Sequence, residues 1–248
     1  MGGDGYRVMC EAWYVEGDKW SLVTEAVARE ESVGIFLDGI LVEEISCTPE
    51  DLGDLAVGYL FTSGVIGGPD VVLPVEAVGG SGGWEVQVVS SQLLMPREPW
   101  LRRVETPLGS TGMFKVSPDA VHRASAALLD AQLMHRGTGA THAAAFADFA
   151  GCYRYIREDI GRHNAVDKLI GSLLRDQIDP LSGFVHLSSR CALDLVRKCA
   201  AYGIRLVSTV SAPTSAVLEY ADEQGITLCA FARSGHFTVY THPENLSS

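Results

Sequence analysis

The residues with the most chemistry per position are Arg157-Glu158-Asp159-Ile160-Gly161-Arg162-His163-Asn164-Ala165-Val166-Asp167-Lys168. This stretch holds three bases, three acids, a histidine and an asparagine. The apolar runs Phe146–Ile156 and Leu169–Leu174 flank it, so it reads as a polar site set into a core rather than as a solvated charge run. Anion binding is the chemistry these residue types favour. A helix N-terminus offers free N–H groups and the positive end of its dipole, and Arg162, His163 and Lys168 add charge at the same place. Arg157, Asp159, Gly161, Arg162, His163, Asn164, Asp167 and Lys168 are the first candidate site residues. The competing reading is an ion-paired helix cap with no ligand.

The elements that must position them are a strand, a polar loop and a helix. Tyr153-Arg154-Tyr155-Ile156 is rich in β-formers. Gly161 allows a sharp turn with positive φ, and Asn164 can cap the helix that follows. Ala165, Val166, Leu169, Ile170, Leu173 and Leu174 then form one apolar face at helical spacing.

Around this unit, the chain from Thr138 alternates strand and helix patterns. Strands are expected near 142–149, 152–157, 183–187, 204–210, 226–231 and 237–240, and helices over 164–176, 191–202 and 213–224. Such alternation implies an α/β fold with a mostly parallel, covered sheet. Ligands bind at the C-terminal ends of such strands. Three loops qualify: Glu158–Asn164, Ser188-Ser189-Arg190 and Ser211-Ala212-Pro213-Thr214. Ser189, Arg190, Ser211 and Thr214 can each be helix caps or anion contacts. Phe231-Ala232-Arg233-Ser234-Gly235-His236 ends a predicted strand. Its Phe can stack on a flat base and its Arg pair with phosphate, or it can be a plain strand end. His142 follows a glycine turn, Thr138-Gly139. Ala144 stands where a zinc deaminase would need its glutamate and no C-x-x-C pair follows, so deaminase chemistry is disfavoured.

Upstream, Glu30–Ile45 reads as a hairpin turning at Asp38-Gly39. Thr48-Pro49-Glu50-Asp51 reads as a helix start with Thr48 as N-cap and Pro49 in the first helical position. Trp84–Ser90 reads as a strand, Glu105–Val116 as a mobile loop and Asp119–Arg136 as a helix. The chain divides into a flexible N-terminus (1–20), an N-terminal α+β part with the loop (21–115) and an α/β core domain (116–248).

The 248 residues carry 31 acids against 19 bases, a formal net charge of −12, which argues against a nucleic-acid groove. No signal peptide or membrane span is read from the sequence. The six cysteines form no C-x-x-C pair, so neither a zinc site nor a disulfide framework is expected, and the thiols fit a cytosolic chain.

The residues quoted above resemble the FdhD family of formate dehydrogenase accessory sulfur carriers. The motifs are Thr48-Pro49-Glu50-Asp51-Leu52 with Leu55–Leu60, Thr138-Gly139 with His142-Ala143-Ala144, Arg157–Lys168, Ser189-Arg190, Ser211–Thr214 and Phe231-Ala232-Arg233. The resemblance implies a cytidine-deaminase-like three-layer core, a cytoplasmic location and a homodimer. It also implies that sulfur from a cysteine desulfurase passes to the molybdenum or tungsten bis(molybdopterin guanine dinucleotide) cofactor of formate dehydrogenase. That cofactor is bound as cargo, with Phe231–His236 as part of its site. The sequence departs from the family in one loop. Where the family reads C-G-x-C-G, this chain has Leu108-Gly109-Ser110-Thr111-Gly112, and neither Leu108 nor Thr111 can form a persulfide. Three readings follow: a sulfur carrier using another cysteine, with Cys191 the candidate because it is placed near a helix start and Arg190; a cofactor-binding chaperone that transfers nothing; or an enzyme on the nucleotide with unrelated chemistry, for which the sequence offers no catalytic constellation.

Overall fold

A computed structural model describes residues 5–67, 75–80, 83–90 and 114–247. Leu108 and Thr111, with most of the expected 105–116 loop, lie outside the described residues.

Three sheets organise the described residues. β1 (Arg7–Glu16) and β2 (Lys19–Ala28) form a two-stranded antiparallel ribbon. β3 (Glu31–Leu37), β4 (Ile40–Cys47), β5 (Val75–Gly80) and β6 (Gly83–Val88) form a four-stranded sheet in the order β4-β3-β6-β5. The hairpin at Asp38-Gly39 is where the sequence puts it, and both turn residues have positive φ. The third sheet has six strands in the order β12-β11-β10-β9-β7-β8. They are β7 (His142–Asp148), β8 (Tyr153–Asp159), β9 (Gly183–Leu187), β10 (Leu206–Thr209), β11 (Thr227–Arg233) and β12 (His236–Thr241).

Helices cover both faces of the large sheet. α2 (Pro118–Ala131) packs Ala120, Val121 and Ala124 with Ala147, Phe184, Leu206 and Cys229 on one face. α4 (Arg162–Arg175), α5 (Leu193–Tyr202) and α6 (Ser215–Glu223) bury their apolar faces on the other. The same core runs on through α1 (Leu52–Thr62) to Val33, Ile35 and Val86 of the four-stranded sheet. α1 and α4 lie backbone against backbone. A Cβ at Gly58 would run into the Asp167 carbonyl, and one at Gly171 into the Asp54 carbonyl.

Several expectations are corrected here. The large sheet is mixed: β9, β10 and β11 are parallel, while β7, β8 and β12 each pair antiparallel. The reason is loop length, because a parallel return needs a crossover helix and the short turns after β7 and β11 allow only hairpins. Residues 7–16, read as irregular, form β1, with Gly17 (φ 58) at the turn. Their apolar residues do not alternate with polar ones, so the strand signal was hidden. Thr48 caps no helix: α1 starts at Leu52 after Asp51, which sits in the left-handed region at φ 52. The single helix expected over 119–136 breaks at Gln132 into α2 and a short α3 (Leu133–Thr138). The cause is distant in sequence. Glu158 accepts the Met134 and His135 N–H groups at 2.8 Å each and so restarts the helix.

Candidate functional site

Strand register brings the candidate loops to one edge of the large sheet. His142 opens β7 opposite Asp159, which ends β8. Leu187 and Thr209 end β9 and β10 side by side, and Arg233 pairs with His236 across the Ser234-Gly235 turn. The loops after β8, β9 and β10 therefore meet, and α4, α5 and α6 all begin at this edge. Backbone bonds tie the loops together: Val210 N–H to the Leu187 carbonyl at 3.1 Å, Cys191 N–H to Ala212 at 3.3 Å, and Phe231 N–H to Ser211 at 3.1 Å. Phe231 is held at φ 54 with its ring 42% exposed. An aromatic residue rarely adopts that backbone, and such strain concentrates at binding sites.

A cavity of about 580 Å³ opens at this edge on the α2 side. Leu128, Gln132 and His135 form one wall, and Thr141, His142, Ser188 and Ala232–Ser234 form the other. Arg233, which lines the cavity, is exposed, as are Arg190 and His236 on the neighbouring loops, and Arg162 and His142 are half-buried. The Arg162 Nε is buried without a hydrogen-bond partner among the described residues. Burial first, then the charges of Arg162 and His135, hold the His142 imidazole below its ordinary range. The Arg162 guanidinium beside His142 puts positive charge at this end of the edge, which favours a nearby anion.

The remaining residues of the 157–168 stretch point away from this seat. Asp159 and Lys168 are both fully buried and pair at 2.6 Å. Asp159 also accepts from Thr48 N–H at 3.1 Å, Gly161 N–H at 2.8 Å and Asn164 Nδ2 at 3.0 Å. Lys168 Nζ donates to the Thr48 carbonyl at 2.9 Å, and Asn164 Nδ2 to the Ser46 carbonyl at 2.9 Å. Arg157 donates through Nε and Nη2 to Asp54, at 2.9 and 2.8 Å. Asp167, which burial pushes up and Lys198 pulls down, takes Lys198 Nζ at 2.8 Å and the Thr62 hydroxyl at 2.7 Å. These groups clasp β4, α1 and α5 to α4, and their hydrogen bonds are used up in doing so.

Asn164 is therefore not the helix cap. It lies inside α4, whose N-cap is Gly161 with an extended φ of −97, not a positive one. Of the stretch, Arg162 and His163 remain partly exposed at the sheet edge, where His163 Nε2 lies 2.9 Å from Asp194 Oδ2. Ser189 is buried, with its hydroxyl donating to the Arg190 carbonyl at 3.2 Å. Ser211 is half-buried, and Thr214 precedes α6 without a side-chain cap bond. The wall residues Leu128, Gln132 and His135 escaped sequence reading, because α2 shows only an apolar stripe and the break that places His135 depends on Glu158.

Cys191 does not suit a persulfide. It is fully buried, α5 starts two residues later, and burial pushes its thiol up to about 12. Cys47 and Cys229 are likewise raised to about 12, and burial raises Cys199 further. Cys10 and Cys152 are exposed. No group of three or more metal-ligating side chains occurs among the described residues, and none of their helices is long and apolar enough to cross a membrane.

Fold and edge together define an α/β protein with a cavity at its strand ends whose lining includes His135, His142 and Arg233. A family model described as the FdhD/NarQ family matches residues 28–247, and the chain belongs to that family. It is 37% identical over 242 residues to the sulfur carrier protein FdhD of Bordetella petrii, covering 90% of this chain and 87% of that one. It is 36% identical over 250 residues to the protein of the same name from Burkholderia mallei, covering 90% and 91%. A crystal structure assigned to a formate dehydrogenase accessory protein of Desulfotalea psychrophila superposes with a TM-score of 0.82 at 25% identity, covering 98% of this chain and all of that one.

Proposed function

We propose that the chain is a cytoplasmic maturation factor for formate dehydrogenase or a related molybdenum or tungsten enzyme. In this reading it holds the bis(molybdopterin guanine dinucleotide) cofactor as cargo at the strand edge. The observation that carries the reading is the local reversal of charge. A chain of net charge −12 gathers Arg162, Arg190, Arg233, His142, His163 and His236 on the strand ends, loops and helix starts of one sheet edge, where His142 and Arg233 also line a cavity. Arg162, Arg190 and Arg233 would meet phosphates, the helix N-termini would add their N–H groups, and Phe231 offers a ring for a flat heterocycle. Equilibrium binding of GDP against ADP tests this: selective binding of GDP is expected, and equal or absent binding would count against it.

Whether the chain also passes sulfur from a cysteine desulfurase is a separate question, and one observation favours the non-transferring chaperone. Leu108 and Thr111 stand at the family's cysteine positions, and four of the six thiols are buried with raised pKa. Persulfide chemistry would fall to Cys10 or Cys152. Intact mass after incubation with a desulfurase and cysteine separates the two. No added sulfur on a chain that binds GDP is expected, and an added sulfur mapped to either residue would restore the carrier.

A further inference from the structure

Two polar side chains in the cavity have hydrogen-bonding roles that their existing partners fix. His135 lines it from α3. Its Nδ1 lies 2.7 Å from the Thr141 carbonyl. A carbonyl oxygen only accepts, so Nδ1 carries the proton, and the neutral ring keeps its lone pair on Nε2. Among the described residues nothing donates to that lone pair. One carboxylate holds the ring in place. Glu158 Oε2 accepts both the His135 backbone N–H and the Thr141 hydroxyl, each at 2.8 Å. Glu158 and Thr141 are themselves buried. The residue that bears the imidazole and the residue that sets its tautomer are therefore tied to the same atom.

Ser188, just after β9, lines the cavity from the sheet side. Its Oγ accepts the Ala143 N–H at 2.7 Å. Its own proton goes to no acceptor among the described residues, so the hydroxyl is left as a donor. The cavity thus presents a fixed acceptor on the helix side and a donor on the sheet side. Leu128, Val210 and Ala232 supply apolar lining, and Arg233 adds a cation.

We infer that His135 and Ser188 are the specificity-determining residues of this cavity. His135 Nε2 accepts a ring N–H of the ligand, and Ser188 donates to an acceptor on the rim of the same ring. The ligand class is a lactam heterocycle with an anionic substituent. Its ring lies against the apolar lining and its anion faces Arg233, because the His135 lone pair repels an anion. The inference rests on the cargo reading and deepens it, since guanine and pterin rings both carry a lactam N–H. Neither residue belongs to the motifs that carry the family resemblance. A ring without that N–H, such as adenine, sets its own lone pair against that of His135. Two acceptors left unpaired in a partly desolvated site reject it.

Calorimetric titration of the full chain at about pH 8, where imidazole is neutral, tests the inference with GDP, N1-methyl-GDP and pterin-6-carboxylate. Wild type should bind GDP about 10-fold or more tightly than N1-methyl-GDP, because the methyl group removes the donor. His135→Ala removes the acceptor and leaves room for the methyl group, so the two nucleotides should come within about 2-fold of each other. Ser188→Ala should weaken both alike, by about 5-fold or more, and keep the preference. A merely structural role would leave the ratio between the nucleotides unmoved. If pterin-6-carboxylate binds in place of GDP and is weakened by His135→Ala, the inference holds with the pterin ring in the cavity. Equal binding of GDP and N1-methyl-GDP by wild type, or a preference that survives His135→Ala, overturns the inference and leaves the cargo reading standing. Binding of neither GDP nor pterin-6-carboxylate to wild type overturns both. Should His135→Ala fail to fold, the nitrogen NMR resonance of wild-type His135 Nε2 decides. The bound lactam must shift it, and an unmoved resonance in the complex overturns the inference.

Discussion

The ends and the middle of one polar stretch behave in opposite ways. Arg157, Asp159, Asn164, Asp167 and Lys168 are clasped inside the protein by partners on β4, α1 and α5. Arg162 and His163, in the middle of the same stretch, stand at the open edge. Burial and satisfaction, not residue type, separate them. A charge whose every lone pair or proton is taken by the protein holds the fold together. A guanidinium at the sheet edge whose buried nitrogen has no partner among the described residues is available to something else. The lesson is that a dense polar motif can be two devices interleaved, with the helix period sending alternate residues inward and to the rim.

The largest expected effect breaks the clasp. Lys168→Met leaves the Asp159 carboxylate buried without its cation and should cost about 3–5 kcal/mol in denaturant unfolding. A loss under 1 kcal/mol would show that the pair contributes little. Next comes the helix contact that lets the clasp close. Gly58→Ala forces a methyl group into the Asp167 carbonyl and should cost roughly 2–3 kcal/mol, read as a lowered urea midpoint with unchanged m.

The comparison also shows what the sequence reveals. The hairpin at Asp38-Gly39 and the apolar face of α4 were legible because they depend on local chemistry and periodicity. The caps assigned to Thr48 and Asn164 were not, because those groups are recruited by partners far away in the chain: Thr48 by Asp159 and Lys168, and Asn164 by Ser46. For the same reason the rim positions at His142, Arg162 and Ala232–Ser234 were found among candidates that included the clasp, with no local signal to divide them. Residues of the cavity wall on α2 and α3 were missed, since Glu158 sets their position from across the sheet.

Effects at the rim should be smaller for stability and larger for binding. Arg233→Ala, on an exposed residue, should leave the unfolding midpoint within about 0.5 kcal/mol of wild type and weaken GDP binding by about 10-fold or more. Unchanged affinity would move the phosphate contact elsewhere. The subtlest test is pH. His142 is held below its ordinary value in the free protein, and a bound anion would raise it. Binding should therefore take up a proton, and GDP affinity should increase as pH falls from 7 through the His142 range. His142→Gln should flatten that slope, and an unaltered slope would place the proton uptake on another group.

The most direct test of the account is one set of calorimetric titrations with GDP on wild type, Arg162→Ala, Arg233→Ala and Arg175→Ala. Arg175 belongs to the clasp through Asp54 yet is 47% exposed, so its variant should fold. The account predicts that both rim variants lose most of the affinity while Arg175→Ala binds as wild type. Equal binding by all four proteins, or a loss confined to Arg175→Ala, would contradict the division of this stretch into clasp and rim.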